Sequence, residues 1–204
     1  MTEFRDVNVE TRKSHFVVFA IILINVAVFV MMASEYDASS FTSEQALDWG
    51  AQWYYDIDNG QFWRILTSNY VHFSITHIAF NMMALYYWGF ALSRWLRYAE
   101  LFILYTVSGL CGGLLSYLPH QDIVSAGASG AISGLLGSML AFHLKGCPEF
   151  NRAYLSQNIF LNVLIAFVAP VDWKAHLGGF IGGAIFTFAR LRNESLRNEG
   201  LQAE

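Results

Sequence analysis

The chain alternates between long apolar stretches and shorter polar connections. Six of the apolar stretches have a length suited to crossing a bilayer as a helix, which takes about 20 mostly apolar residues. They cover approximately residues 16–33, 76–93, 99–118, 127–144, 155–170 and 175–191. The pattern therefore predicts an all-α membrane protein with a bundle of six transmembrane helices, in which the fifth helix is short.

Two details refine this prediction. The first stretch runs on for about 18 apolar residues and contains Asn25, so it is longer than an ordinary signal-peptide core and is interpreted as a retained span. The connection 34–75, between the first two spans, is long and rich in aromatic side chains, which favours a position at the membrane interface. These aromatic residues are Trp49, Trp53, Tyr54, Tyr55, Phe62, Trp63 and Tyr70.

Composition supports lipid as the solvent. Of the 204 residues, 55% are hydrophobic and only 14% are charged, which is too apolar for an ordinary soluble domain. We predict one membrane domain, 16–191, between cytoplasmic segments 1–15 and 192–204. The net charge of −4, without a basic stripe, argues against nucleic-acid binding. Cys111 and Cys147 have neither metal-ligand nor redox spacing and are interpreted as unpaired.

Lys and Arg are distributed unevenly between alternate connections. One set of connections, which includes both termini, carries ten of these residues, and the other set carries only Arg64 and Lys174. Cytoplasmic connections collect Lys and Arg, so both termini are predicted to be cytoplasmic and the 34–75 connection to face outward. The ten residues are Arg5, Arg12, Lys13, Arg94, Arg97, Lys145, Arg152, Arg190, Arg192 and Arg197.

A few polar side chains lie within or beside the predicted spans, where unpaired polar groups are costly and are functional candidates. In this topology they enter the outer leaflet at similar depths. With a rise of about 1.5 Å per helical residue, Ser129 lies roughly 10 Å beyond Asp122 and His176 roughly 6 Å beyond Asp172. The candidates are His77 and Asn81 in the second span, Ser129 and Ser133 in the fourth, His176 in the sixth, and His72 before the second.

Small residues surround two of these candidates. Glycines recur at 127, 130, 134 and 137 beside Ser129, and at 178, 179, 182 and 183 after His176. Such spacings form smooth helix faces, so one interpretation is helix packing alone. The other is that two glycine-faced helices approach closely enough for Ser129 to reach His176.

The chemistry permitted by this approach is acyl transfer. A serine hydroxyl becomes an effective nucleophile when a base takes its proton, and histidine, with an ordinary pKa of about 6.5, is suited to that role. No span holds a carboxylate beyond Glu100 at a cytoplasmic end, so the prediction is a Ser-His dyad. The Ser129 backbone N–H, near a helix N-terminus, with His77 and Asn81, supplies candidate oxyanion donors.

The combination of these residues resembles the rhomboid intramembrane serine proteases in their minimal six-helix bacterial form. Gly127-Ala-Ser129-Gly130 resembles the family's GxSG motif, and His176 with Gly179 resembles the motif of the last helix. The series His72, His77 and Asn81 matches the family's pattern on the second helix, and Trp63-Arg64 resembles a structural pair in the first outer loop.

This resemblance implies a multi-pass protein of the bacterial inner membrane that cleaves transmembrane proteins. It assigns Ser129 as nucleophile, His176 as base, and His77 with Asn81 to the oxyanion hole. It implies supporting roles for His72, Gly127, Gly130 and Gly179, and requires no cofactor.

The sequence departs from the family pattern in two places. Ser133 stands where many members carry an aromatic ring that packs against the base. After the second span, Ser93 and Arg97 replace an acidic residue and a glycine. The first departure leaves the support of the His176 ring open.

Three functional alternatives follow. The first is a peptidase, and the second is a non-catalytic relative that binds client transmembrane helices. The third is a small-solute transporter, which is disfavoured because the chain lacks an evident inverted repeat. A metal site is disfavoured because only His77 and His176 are expected to meet and no HExxH spacing exists. The sequence leaves the oligomeric state undetermined.

Overall fold

The computed structural model describes residues 7–36, 39–118, 120, 122–168 and 172–202, and the elements of these residues are helical. The helices are α1 (Val7–Tyr36), α2 (Ser43–Asp48), α3 (Tyr54–Asp58), α4 (Arg64–Thr67), α5 (Ile75–Leu92), α6 (Tyr98–Tyr117), α7 (Ser129–Leu144), α8 (Arg152–Val168) and α9 (Trp173–Gln202). Short 3-10 turns cover Ser68–Tyr70 and Pro148–Phe150. The prediction of an all-α fold is confirmed.

The six long helices correspond to the six predicted spans, with different ends. Helix α1 begins at Val7, and α9 continues to Gln202, so the predicted tail 192–204 is helical as far as it is described. Helix α7 begins only at Ser129, and the placement of Gly127 on its helical face was wrong. The helical rise assumed between Asp122 and Ser129 was wrong for the same reason, because the intervening residues are not helical. Residues 169–170 of the fifth predicted span lie outside the described part.

The centre of the bundle is the packing of α7 against α6 and α9. Helix α7 is buried along most of its length, from Gly130 to Met139. A Cβ atom added at Gly183 would overlap the carbonyl oxygen of Gly134, so the two backbones are in direct contact. Farther along, the Thr187 hydroxyl donates to Ser138 Oγ at 2.7 Å. Close backbone approach of this kind is how helices associate when lipid removes the hydrophobic drive.

The outer surface of the bundle is apolar. Phe16 and Leu23 of α1 are 72% and 68% exposed, and Tyr87 of α5 is 63% exposed. Among the described residues, Lys13–Tyr36 and Tyr98–Tyr117 are long and apolar enough to cross a membrane, and Ser129–Leu144 is a shorter apolar helix. Apolar side chains on the outside and small residues inside are the arrangement expected of a protein dissolved in lipid.

The connections between the long helices lie at two opposite ends of the bundle. At one end, Ser14 Oγ donates to the carbonyl of Leu96, and Arg190 Nε donates to Glu100 Oε1 at 3.2 Å. The first bond joins the beginning of α1 to the 93–97 connection, and the second joins the first turn of α6 to the later part of α9. Lys and Arg are concentrated in these connections, as the charge pattern requires. The connections 39–74 and 122–128 meet at the opposite end.

Arg64 organises the segment between α1 and α5. The residue is only 8% exposed, and its side chain donates to the backbone carbonyls of Leu47 and Ala51 at 2.7 and 2.8 Å. The guanidinium also lies 3.5 Å from the Asp56 carboxylate and stacks on the Trp63 ring at 4.6 Å. One side chain thus joins three parts of the segment between α1 and α5, the structural role expected of the Trp63-Arg64 pair.

Replacing Arg64 with Ala is expected to destabilise the protein by about 3 kcal/mol, because two carbonyls and a carboxylate lose their buried donor. Arg64→Lys should recover only part of this loss, since an ammonium group lacks the planar fork of donors. Thermal unfolding in detergent measures both. The exposed Arg94 provides the control, and an Arg94→Ala variant as unstable as Arg64→Ala would contradict the interpretation.

Candidate active site

The site begins in the connection that precedes α7. Gly127 has φ +125°, a conformation that L residues with side chains rarely adopt, and its N–H donates to the Ser68 carbonyl at 2.9 Å. The connection then enters α7 with Ser129 as the first helical residue, half-buried and preceded by Ala128. Ser129 therefore lies at the helix N-terminus, where the first amides lack intrahelical acceptors.

His72 supports this connection from outside the helices. It is fully buried, and its Nε2 accepts a hydrogen bond from the Ala128 amide at 3.4 Å. Burial lowers the pKa of His72 to about 3, and the neighbouring His77 acts in the same direction. A neutral imidazole nitrogen can accept this bond, whereas a protonated one cannot. His72 thus bonds to Ala128, the residue next to Ser129, and lies beside the candidate site.

His77 and Asn81 face the same connection from α5. A Cβ atom at Gly127 would lie 2.7 Å from His77 Nε2 and 3.5 Å from Asn81 Nδ2. Glycine is therefore required at 127 both for its backbone angle and for the closeness of His77. Within the described structure, Asn81 Nδ2 is buried and has no hydrogen-bond acceptor. Two side-chain nitrogens, His77 Nε2 and Asn81 Nδ2, consequently converge just before Ser129.

His176 lies in the first turn of α9, and this turn contacts the first turn of α7. A Cβ atom at Gly130 would lie 3.3 Å from the Ala175 carbonyl oxygen. One turn later on α9, a Cβ atom at Gly179 would overlap the carbonyl oxygen of Gly130. The neighbours of Ser129 and His176 are thus in van der Waals contact. The glycines allow this approach, as the packing of glycine-faced helices requires.

The imidazole of His176 borders a cavity of about 160 Å³ between α7, α8 and α9. Its Nε2 is buried and makes no hydrogen bond to any described group. Ser133 is 1% exposed, lines the same cavity, and also has an unpaired hydroxyl. Phe180, one turn after His176, contributes an aromatic wall. The small side chain at 133 thus leaves space beside His176, and the aromatic ring there comes from α9.

In the structure, Ser129, His176, His77 and Asn81 lie at one end of the bundle, and His72 bonds there to Ala128. Among the described residues, it contains no group of three or more His, Cys, Asp or Glu side chains that could hold a metal ion. Sequence reasoning missed Asp172, which bonds to both the connection before Ser129 and the start of α9. The signal for it was the position of an Asp just ahead of a predicted helix.

Comparison with known proteins identifies the protein family to which the chain belongs. A family model described as the Rhomboid domain matches residues 59–193. The chain belongs to the rhomboid family, whose members are embedded in membranes. The family resemblance inferred from the motifs is confirmed.

Several curated proteins are similar to the chain. RHOMBOID-like protein 7 of Arabidopsis thaliana is 35% identical over 160 residues, which are 75% of this chain and 50% of that protein. The rhomboid protease GluP of Bacillus subtilis is 32% identical over 170 residues, or 81% of this chain and 33% of that protein. The chain therefore spans half or less of the length of these two relatives.

Proposed function

We propose that this chain is an intramembrane serine endopeptidase that uses a Ser129–His176 dyad. The observation that carries the proposal is the contact between the first turns of α7 and α9, where a Cβ at Gly179 would overlap the Gly130 carbonyl oxygen. This contact brings the turns that carry the two residues side by side. Family membership and the similarity to a rhomboid protease support the same activity.

In the proposed reaction, Ser129 Oγ attacks the carbonyl carbon of a peptide bond while His176 takes its proton. The oxyanion is stabilised by the Ser129 N–H, His77 and Asn81, whose unpaired Nδ2 is a ready donor. His176 then protonates the amine as the peptide C–N bond breaks. In the second half of the reaction, His176 takes a proton from water, the water attacks the acyl-enzyme, and the ester bond to Ser129 breaks to release the acid and restore the hydroxyl. His176 Nε2 has no hydrogen-bond partner among the described groups. The proposal therefore requires a bond between Ser129 Oγ and His176 Nε2 to form when substrate binds, since hydrogen bonds of a substrate-free site often tighten only with substrate.

The substrates in this proposal are membrane proteins, cleaved in or near a transmembrane segment. A peptide bond within a regular helix hides its carbonyl, so the substrate helix must unwind locally at small or helix-breaking residues. Water enters from the end of the bundle that carries the 39–74 and 122–128 connections. No cofactor takes part in the mechanism.

The proposed topology has six crossings with both termini in the cytoplasm, in the inner membrane of a bacterial cell. The predicted membrane domain is 16–191. This topology is supported by the clustering of Lys- and Arg-bearing connections at one end of the bundle, which is typical of the cytoplasmic side. The site then lies toward the outer leaflet, between α5, α7 and α9.

A serine-reactive fluorophosphonate probe tests the function directly. The full chain in detergent should become labelled, and peptide mapping should place the label on Ser129. The same sample should cleave a labelled transmembrane substrate. Absence of both labelling and cleavage would overturn the proposal.

The alternative is a rhomboid protein that binds client transmembrane helices without cutting them. The unbonded His176 Nε2 beside the cavity at Ser133 favours this alternative, because the imidazole lacks a fixed partner there. The probe separates the two functions, since a pure binder captures a transmembrane helix but leaves Ser129 unlabelled.

Asn81→Ala is expected to lower kcat by roughly 100- to 1,000-fold with little change in KM, because the donor acts on charge that develops in the transition state. Steady-state cleavage of a transmembrane substrate measures both constants. Asn158, whose side chain bonds to Trp88 Nε1 on α5, provides the control Asn158→Ala. A rise in KM alone for Asn81→Ala would contradict the oxyanion role.

A further inference from the structure

Asp172 is the residue immediately before α9 and lies four positions before His176. Its Oδ1 accepts hydrogen bonds from the amides of Lys174 and Ala175, both at 3.1 Å. Its own carbonyl oxygen accepts from the His176 amide at 3.2 Å. This is the arrangement of a helix N-cap, and it fixes the backbone of the turn that carries His176.

The second carboxylate oxygen of Asp172 bonds to other parts of the bundle. Oδ2 accepts from Ser125 Oγ at 2.8 Å and from Ser116 Oγ. Ser125 lies in the connection four residues before Ser129, and Ser116 lies in the last turn of α6. One carboxylate thus joins the start of α9, the connection that leads into α7, and the end of α6.

Ser125 is itself held in place. Its backbone exchanges two hydrogen bonds with Gln52, each 2.8 Å long, and the Gln52 side chain donates to the Gly113 carbonyl at 2.9 Å. The Ser125 hydroxyl therefore presents a fixed donor to Asp172. These hydrogen bonds connect the start of α9 to α6 and to the segment between α1 and α5.

We propose that Asp172 is a positioning residue that fixes the turn of His176 relative to the connection entering Ser129. The carboxylate acts through backbone amides and serine hydroxyls, and the His176 imidazole is not among the described partners of either oxygen. Asp172 thus sets the geometry of the pair without orienting the imidazole as a third catalytic member. This inference rests on the proposed peptidase function.

The test uses the full chain with four variants and steady-state cleavage of a transmembrane substrate. Asp172→Ala should lower kcat by roughly 100-fold and leave KM nearly unchanged, because a displacement of about 1 Å between reacting groups has this effect. Asp172→Asn should restore kcat to within about tenfold of the parent, since asparagine is also a good N-cap. Adding Ser125→Ala to Asp172→Ala should cost nothing further, since both remove the same link.

Asp58→Ala is the matched control. The Asp58 carboxylate accepts a hydrogen bond from Tyr117 at 2.6 Å and so also joins the segment between α1 and α5 to the end of α6. It bonds to neither α7 nor α9 in the described structure. Asp58→Ala should retain the parental kcat even if its unfolding temperature falls as far as that of Asp172→Ala.

Three results would overturn the role of Asp172: parental kcat in Asp172→Ala, a change confined to KM, or an equal loss of kcat in Asp58→Ala. If the parent chain neither labels nor cleaves, the peptidase function fails, and amide hydrogen exchange still decides the role of Asp172. Faster exchange at 123–128 in Asp172→Ala, but not in Asp58→Ala, would support the link. Unchanged exchange in both variants would overturn it.

Discussion

Ser129→Ala and His176→Ala should each reduce cleavage of a transmembrane substrate by roughly 10,000-fold or more, since a nucleophile and its base act as one unit. The double variant should be no worse than either single variant. Ser129→Ala should also abolish labelling by the fluorophosphonate probe. His176→Ala should slow labelling strongly, because the hydroxyl loses the base that removes its proton.

Two controls match these variants in residue type. Ser133→Ala removes a buried hydroxyl that has no described partner, one turn further along α7, so it should leave kcat close to that of the parent. His143→Ala removes a histidine near the opposite end of the same helix. Cleavage that persists in Ser129→Ala would exclude the dyad, and equal loss in Ser133→Ala would point to general damage of α7.

Gly179→Ala should have the second largest effect. The added methyl group would overlap the Gly130 carbonyl oxygen, and neither backbone can move aside as a flexible side chain could. Separating α7 from α9 should destabilise the protein by about 3 kcal/mol and lower kcat by roughly 100-fold, since the turn of His176 moves away from that of Ser129. Thermal unfolding and substrate cleavage measure the two effects.

The control for this variant adds a larger group elsewhere on α9. Ala189 is exposed on the same helix, so Ala189→Leu should change neither stability nor kcat appreciably. Gly179→Ala with parental activity would show that the close approach of α7 and α9 is not required. In that case the packing of the glycines would be separate from the chemistry.

Hydrophobic patterning predicted the all-helical fold and the approximate position of each long helix, because burying a helix in lipid needs a long apolar stretch whatever its neighbours are. The ends of the helices were less predictable. The rule of apolar length locates only the apolar part of a helix, whereas α1 and α9 extend beyond that part into polar sequence. Likewise, Gly127 fits the helical spacing of Gly130 and Gly134 but lies outside α7 with positive φ.

The motifs also predicted the family and the candidate residues, since Ser, His and Asn within apolar sequence are few. Residue spacing along a helix could not reveal Asp172, because its role depends on Ser116 and Ser125 from other segments. The same limit applies to Phe180, whose ring lines the cavity left by Ser133. Both relations join residues far apart in the chain.

The sequence alone thus determined which stretches are helical, which end of the bundle collects positive charge, and which polar residues are candidates. These depend on local composition and on the solvent. Only the tertiary structure decided that the turns of Ser129 and His176 touch through Gly130 and Gly179, and that Asp172 joins the start of α9 to the connection before Ser129. Contacts between helices depend on the depth and rotation of each helix, which apolar patterning constrains only weakly because lipid and protein interior are similarly apolar.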